Sequence, residues 1–223
     1  MCLKKGADTI TTINHVIGMK NEIQFLKVVP DIYSVPLSDF SYFVYDDNKS
    51  RETVKGTFSD NHCPVIVYNS NQQIKGNDFM YKGLTLDLKV NGRRYERPFF
   101  ELFYKDGKYT YQKAKDSHII VAIMAKDSMI YSFPASLIEM IVNHNSQGLP
   151  LPQDFYYKGT DFYKFDEITD LKNKGKVGFA ISAEILQVCL RSYLSYHCGN
   201  SDMRYLLMQC KPYHDKDNNY IEN

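Results

Sequence analysis

The sequence predicts an α/β (α+β) fold in which a central mixed β-sheet of about five strands is flanked by helices. Three observations predict it. Residues 64–133 divide into short runs rich in Val, Ile, Tyr and Phe, with turn residues between them. One run, HIIVAIMA (118–125), carries apolar residues on both faces, as a central buried strand requires. Helical spacing of apolar residues brackets this strand-rich middle on both sides. The 223 residues, 43% hydrophobic and 24% charged, are ordinary globular usage and suit a single domain, 1–223, with 147–223 as a C-terminal helical and aromatic-loop extension.

Residues 10–29 space Ile13, Ile17, Ile23, Phe25 and Leu26 as an amphipathic helix that stops before Pro30, with Gly18 a candidate interruption. From Asp31 to Asn61 the chain reads as a largely irregular connection in which Tyr42 to Tyr45 suits an edge strand. Strands are expected at 64–69, 79–90, 93–104, 108–113, 118–125 and 129–133, with turns at Asn91-Gly92, Asp106-Gly107 and Lys126-Asp127. After Pro134, ASLIEMIVNH gathers Leu137, Ile138, Ile141 and Val142 on one side of a helix. A Tyr/Phe-rich loop spans 155–165. A further helix starts at Ser182, whose hydroxyl is placed to cap it, and exposes a wide apolar face of Ile185, Leu186, Cys189, Leu190, Tyr193 and Leu194. The last ten residues are polar and expected to fray.

The formal net charge is +1, so no global field gathers polyanions, and contact with nucleic acid has to rest on a local patch. No stretch approaches the roughly 20 apolar residues of a membrane span, and the N-terminus lacks the apolar core of a signal peptide, so an intracellular, cytoplasmic setting without membrane contact is expected. Five scattered cysteines favour reduced thiols. His197, Cys198, Cys210 and His214 could supply zinc ligands, but no CxxC pair is present and apolar neighbours suit thiols used as small core residues. His62, His118, His144 and His197 form no local pattern with Ser or Cys, and no Gly-rich phosphate loop is present, which sets aside nucleophilic hydrolases and nucleotide-binding folds.

One stretch carries chemistry. Asp87 lies near the end of one expected strand, Asn91-Gly92 is a strong hairpin signal, and Glu96 returns on the next strand. Paired carboxylates on a hairpin can converge on Mg²⁺, the usual arrangement for phosphodiester hydrolysis, provided a cation orients or activates the attacking water. Register decides whether the two share a face. The same residues equally suit a solvated hairpin whose cross-strand ion pairs contribute under about 1 kcal/mol each.

The segments LDLKVNGRRYERP (86–98), DGKYTYQ (106–112) and MIYSFPAS (129–136) resemble, in order and spacing, the PD-(D/E)xK nucleases of the restriction-endonuclease-like superfamily. The resemblance covers 80–136. It implies a restriction-endonuclease-like fold, a Mg²⁺- or Mn²⁺-dependent endonuclease acting on DNA, Asp87 and Glu96 as metal ligands, and Glu22 on the N-terminal helix as a third.

The departure lies at the third signature position, where the family's lysine aligns with Pro98, which carries no charge or side-chain donor. Three readings stay open. Lys105, Lys108 or Lys113 supplies the cation from a neighbouring strand. Glu101 is the second carboxylate, with Lys105 on its strand face. Or the site is silent and the fold binds nucleic acid or a protein partner without cutting. Lys89, Arg93, Arg94 and Arg97 are the candidate phosphate contacts. A homodimer would suit cutting of both strands.

Overall fold

A computed structural model of the chain describes residues 5–47, 50, 52, 54, 63–69, 76–147 and 177–221, with backbone alone at 5–13, 105, 146 and 177. The Tyr/Phe-rich loop at 155–165 and His62 lie outside the described residues. The architecture is α+β, as expected, with a central mixed sheet flanked by helices; among the described residues that sheet has seven strands and a second sheet has three.

Helix α1 (Lys5–Leu26) runs straight through Gly18, and a short helix α2 (Val29–Tyr33) follows. Pro30 falls at the first positions of α2, where a missing N–H costs nothing, so the proline opens a helix and does not merely end one. Strand β1 (Phe40–Tyr45) alternates buried and half-buried residues and is flanked on both sides, parallel by β2 (Val65–Tyr68) and antiparallel by β3 (Phe79–Tyr81). It is therefore internal, and the expectation of an edge strand is corrected. Its aromatic side chains pack into the core: Tyr42 stacks on Phe79 at 5.6 Å and Phe40 tilts against Tyr81 at 5.2 Å.

The run at 79–90 is two strands. Lys82 and Gly83, with φ of 45° and 83°, form a two-residue turn between β3 and β4 (Leu84–Asn91). Positive φ at both central positions is the hairpin geometry that matches strand twist, and Gly83 adopts it without steric penalty. Strand β4 then runs parallel to β7 (Ile119–Met124), every residue of which is buried. Strand β8 (Met129–Pro134) pairs antiparallel with β7, and β10 (Tyr213–His214) closes that edge. The full order is β10-β8-β7-β4-β3-β1-β2.

No strand returns from Asn91-Gly92 to pair with β4. The expected hairpin is a loop at 92–98 that leads to β5 (Phe99–Lys105), which pairs with β6 (Lys108–Thr110) and β9 (Val177–Ala180) in the second sheet. The reason is edge occupancy. One edge of β4 is taken by β7 from Leu86 to Asn91, and the other by β3 and the Asp78 carboxylate as far as Leu88. Asn91 uses its side chain for the exit: its Oδ1 accepts from Phe99 N at 2.9 Å and its Nδ2 donates to Ile123 O at 3.3 Å.

Helix α3 (Lys113–Asp116) returns the chain to β7, and α4 (Ala135–Gln147) follows β8 with Leu137, Ile138, Ile141 and Val142 fully buried. Helix α5 (Ala183–Tyr196) buries Leu186, Cys189, Leu190 and Tyr193; Ser182 precedes it but makes no side-chain capping bond. Helix α6 (Ser201–Gln209), unforeseen in the sequence, is capped by Asn200, which accepts from Met203 N at 2.8 Å. The tail is not frayed as far as Ile221. Asp215 N donates to Ser128 O at 2.8 Å, and the Asn21 amide on α1 exchanges two hydrogen bonds with the Ile221 backbone, at 2.7 and 2.8 Å. No helix among the described residues is long and apolar enough to cross a membrane.

Candidate functional site

The turn at Lys82-Gly83 sets the site. It pairs Phe79 with Leu86, so Asp78 stands opposite Asp87 one step beyond, and the Leu88 amide donates to Asp78 Oδ2 at 2.7 Å. Two residues along β4 from Asp87, strand alternation returns Lys89 to the same face. Its Nζ lies 2.9 Å from Asp87 Oδ2 and donates to Oδ1 at 3.1 Å. Lys113, at the start of α3, donates to the same Oδ1 at 3.0 Å and to Gly76 O at 3.3 Å. Asp87 itself is 1% exposed. Its Oδ2, although close to Lys89, accepts no aligned hydrogen bond.

Helix α1 brings Glu22 to this group. Tyr42 on β1 donates to Glu22 Oε2 at 2.6 Å. Burial pushes the Glu22 carboxyl up to about 7; the Tyr42 hydroxyl and the Lys89 charge work against that rise, and the Asp87 charge adds to it. Asp78 is held well above the usual carboxylate range, first by burial and then by the charges of Glu22 and Asp87, with Lys89 and the Leu88 amide opposing. Lys89 is raised: burial alone would lower it, but Asp87, Asp78 and Glu101 together outweigh the desolvation. Tyr111 is likewise raised by its burial and by the nearby charge of Asp87. Three carboxyl groups, Glu22, Asp78 and Asp87, and two ammoniums, Lys89 and Lys113, thus share one field.

Of the residues singled out from sequence, Asp87, Glu22, Lys89 and Lys113 come together, and Glu101, half-buried on β5, acts electrostatically on Lys89. Glu96 does not join them. It sits on the 92–98 loop with its side chain 77% exposed and pairs with Lys126 at 2.7 Å, because the loop leaves β4 instead of folding back along it. As a metal ligand beside Asp87 it is corrected. Lys108 is exposed at the Asp106-Gly107 turn and is not among the principal charges felt by Glu22 or Asp78; the side chain of Lys105 lies outside the described residues. Pro98, where a lysine was sought, is buried at the entrance to β5. Arg93, Arg94 and Arg97 are exposed on the same loop, and the Arg94 guanidinium stacks over Tyr95 at 4.8 Å. A cleft of ≈ 380 Å³ opens there, lined by Lys89, Arg94, Tyr95 and Phe99 among others.

Asp78 was not singled out from the sequence, and Lys89, expected as a phosphate contact, also pairs with Asp87. The signal was present as Asp87-Leu88-Lys89, a carboxylate and an ammonium two residues apart on a strand, with Lys82-Gly83 as the turn that faces them with Asp78. Among the described residues, no group of three or more His, Cys, Asp or Glu is arranged to hold a metal ion, and the His197, Cys198, Cys210 and His214 set forms no such group either. No known protein family, curated protein or solved structure matches this chain.

Proposed function

We propose that the chain is a metal-dependent nuclease acting on DNA, built on Asp78, Asp87 and Lys89, with Glu22 contributed by α1. One observation carries the reading: Asp78 and Asp87 oppose each other across β3 and β4, and Lys89 on the same strand holds its ammonium 2.9 Å from Asp87. An acid followed by Asp-x-Lys is compatible with the PD-(D/E)xK pattern on a different alignment from the one through Glu96 and Pro98, with Asp78 as first acid and Asp87-Leu88-Lys89 as triplet, although Asn77 stands where the motif has its proline. The resemblance then needs no lysine at Pro98.

That reading implies Mg²⁺ or Mn²⁺, and the residues fit such an ion. All the donors are hard carboxylate oxygens, Asp87 Oδ2 is buried without an aligned hydrogen bond, and Glu22 and Asp78 are raised first by burial and then by neighbouring negative charge, the second of which a dication would relieve. Mg²⁺ commonly takes one or two carboxylates and completes its shell with water and substrate phosphate, so two acids suffice. When bound, the ion supplies Lewis acidity to the phosphoryl oxygen and lowers the pKa of a bound water.

The chain's own residues do the rest. Lys89, kept protonated by its acidic neighbours, is placed to hold a phosphate oxygen or the attacking water and to offset the charge that develops at phosphorus. Glu22 holds or releases a proton near neutral pH. Lys113 positions Asp87. Arg93, Arg94 and Arg97, with the cleft beside Lys89, suit the flanking phosphates.

A second reading is favoured by the occupation of both Asp87 oxygens by lysine ammoniums: a silent module that binds DNA through the basic loop without cutting it. Cleavage of labelled single- and double-stranded oligonucleotides with Mg²⁺, Mn²⁺ or EDTA separates the two. The nuclease cuts only with metal, loses about 10²-fold or more in kcat in Asp87→Asn and Lys89→Ala, and keeps its rate in Glu96→Gln. Binding with no cutting under either metal contradicts it.

A further inference from the structure

Helices α5 and α6 present one stripe each to a shared groove. Along α5, Gln187, Leu190, Arg191, Leu194 and Ser195 fall at i, i+3, i+4, i+7 and i+8, a single face of the helix. Along α6, Arg204, Leu207 and Met208 do the same at i, i+3 and i+4. The two stripes enclose ≈ 580 Å³, with Lys211 and Pro212 beyond α6 completing the wall. Leu190 and Leu207 are buried and form the floor, while Arg191, Arg204, Met208 and Lys211 are exposed along the rim. The charge is one-sided: three cations line the groove and, among the described residues, no carboxylate does. Arg191, Arg204 and Lys211 form no ion pair among the described residues, so all three stay open to a partner. Met208 is 60% exposed, and Tyr205, one turn before it, is 48% exposed. Met, Tyr and Arg are the residue types enriched at protein interfaces. Phosphate contacts would use the cations and leave the exposed Met208 and Tyr205 without a role, and a small ligand needs most of its surface enclosed, which an exposed rim on both helices does not provide.

We propose that this groove docks a protein partner through one acidic amphipathic helix, whose apolar stripe lies on Leu190, Leu194 and Leu207 and whose flanking carboxylates meet Arg191, Arg204 and Lys211. Helix-in-groove recognition reads apolar anchors at i, i+3, i+4 and i+7, the spacing at which α5 and α6 set out their own. A third helix laid between two packs its ridge into the furrow they leave. Opposite charge along the rim selects the partner and speeds encounter. The surface is independent of the nuclease reading, since none of Asp78, Asp87 or Lys89 lines it.

The test is fluorescence anisotropy with the intact chain and a labelled synthetic peptide of about four helical turns, carrying Leu on one face and Glu on both flanks of it. Two control peptides carry Lys in place of every Glu, or the same residues scrambled so that no apolar face forms. The acidic amphipathic peptide is expected to bind at least about tenfold tighter than either control. The Arg191→Glu/Arg204→Glu double variant is expected to lose that peptide by about tenfold and to gain the Lys peptide, a swap that misfolding cannot produce. Met208→Ala weakens the acidic peptide by about fivefold. Equal binding of the three peptides, or a preference that the charge reversal leaves unchanged, overturns the proposal. So does a loss of single-stranded or duplex DNA binding in the double variant with peptide binding kept, which makes the groove a phosphate contact. Sedimentation of the protein alone covers the remaining occupant: a dimer that the charge reversal dissociates puts a second copy in the groove and overturns the partner.

Discussion

Asp87 is 1% exposed, and its charge is offset by two lysines that arrive from different elements, Lys89 from its own strand and Lys113 from α3. Burying a carboxylate is tolerable only when it is paired, and both Asp87 oxygens have a lysine ammonium beside them. Glu22 and Asp78 are nonetheless both raised, first by burial and then by neighbouring negative charge. The sign of the resulting pH dependence follows. In the folded, metal-free protein Glu22 keeps its proton up to about 7, whereas the unfolded chain releases it near 4.5. The folded state binds more protons across that window, so this group's contribution is full below it and is lost as pH rises through about 7. Asp78 acts in the same direction. Thermal unfolding in EDTA is therefore expected to show a falling melting temperature as pH rises across this range, and Glu22→Gln is expected to flatten the fall. Mg²⁺ competes with these protons, so its stabilising effect grows with pH. A metal-free melting temperature that rises over the same window contradicts the assignment.

At the scale of elements, the hairpin that matters is not the one the sequence advertises. Asn91-Gly92 has the stronger turn signature, yet a returning strand could pair with β4 only beyond Leu88, and Asn91 spends its amide on Phe99 and Ile123. Lys82-Gly83, hidden inside an apparently continuous run, makes the tight turn and sets Asp78 against Asp87. Local turn chemistry was legible; which strand edges were already occupied was not, because the parallel pairing of β4 with β7 is a long-range fact. The α3 lysine was visible only as one of three candidates. The second sheet was equally hidden, since β9 comes from 177–180 and reaches β5 across a long stretch of chain. Its fit is close: a Cβ on Gly178 would lie 2.3 Å or less from two Phe99 ring atoms and 2.7 Å from Phe100 O. One residue inserted after Gly83 slips β3 against β4, moves Asp78 off Asp87 and abolishes metal-dependent cleavage. Gly83→Ala has open space around its added Cβ but a φ of 83°, so it costs about 1 kcal/mol of stability with activity retained. Denaturant unfolding beside a cleavage assay checks both, and an active insertion variant refutes the register.

For the whole molecule, fold class was the most legible feature. Period-two runs, the buried strand at 119–124 and the flanking helices all survive in the structure, while the strand count rises because β1 lies inside the sheet and β10 is added from the tail. That tail also reaches the site indirectly. Asn21, 2% exposed, clasps the Ile221 backbone next to Glu22 on α1. Asn21→Ala removes both hydrogen bonds to the backbone of the exposed Ile221 and is expected to lower stability by about 1 kcal/mol, measured by urea unfolding.

The central claim is that Asp78, and not Glu96, is the partner of Asp87. Titration of Mn²⁺ followed by electron paramagnetic resonance on the wild-type chain, Asp78→Asn and Glu96→Gln tests it most directly. Wild type and Glu96→Gln are expected to bind Mn²⁺ alike, while Asp78→Asn weakens binding at least about tenfold through loss of one carboxylate ligand. Weaker binding in Glu96→Gln with Asp78→Asn unchanged would contradict it.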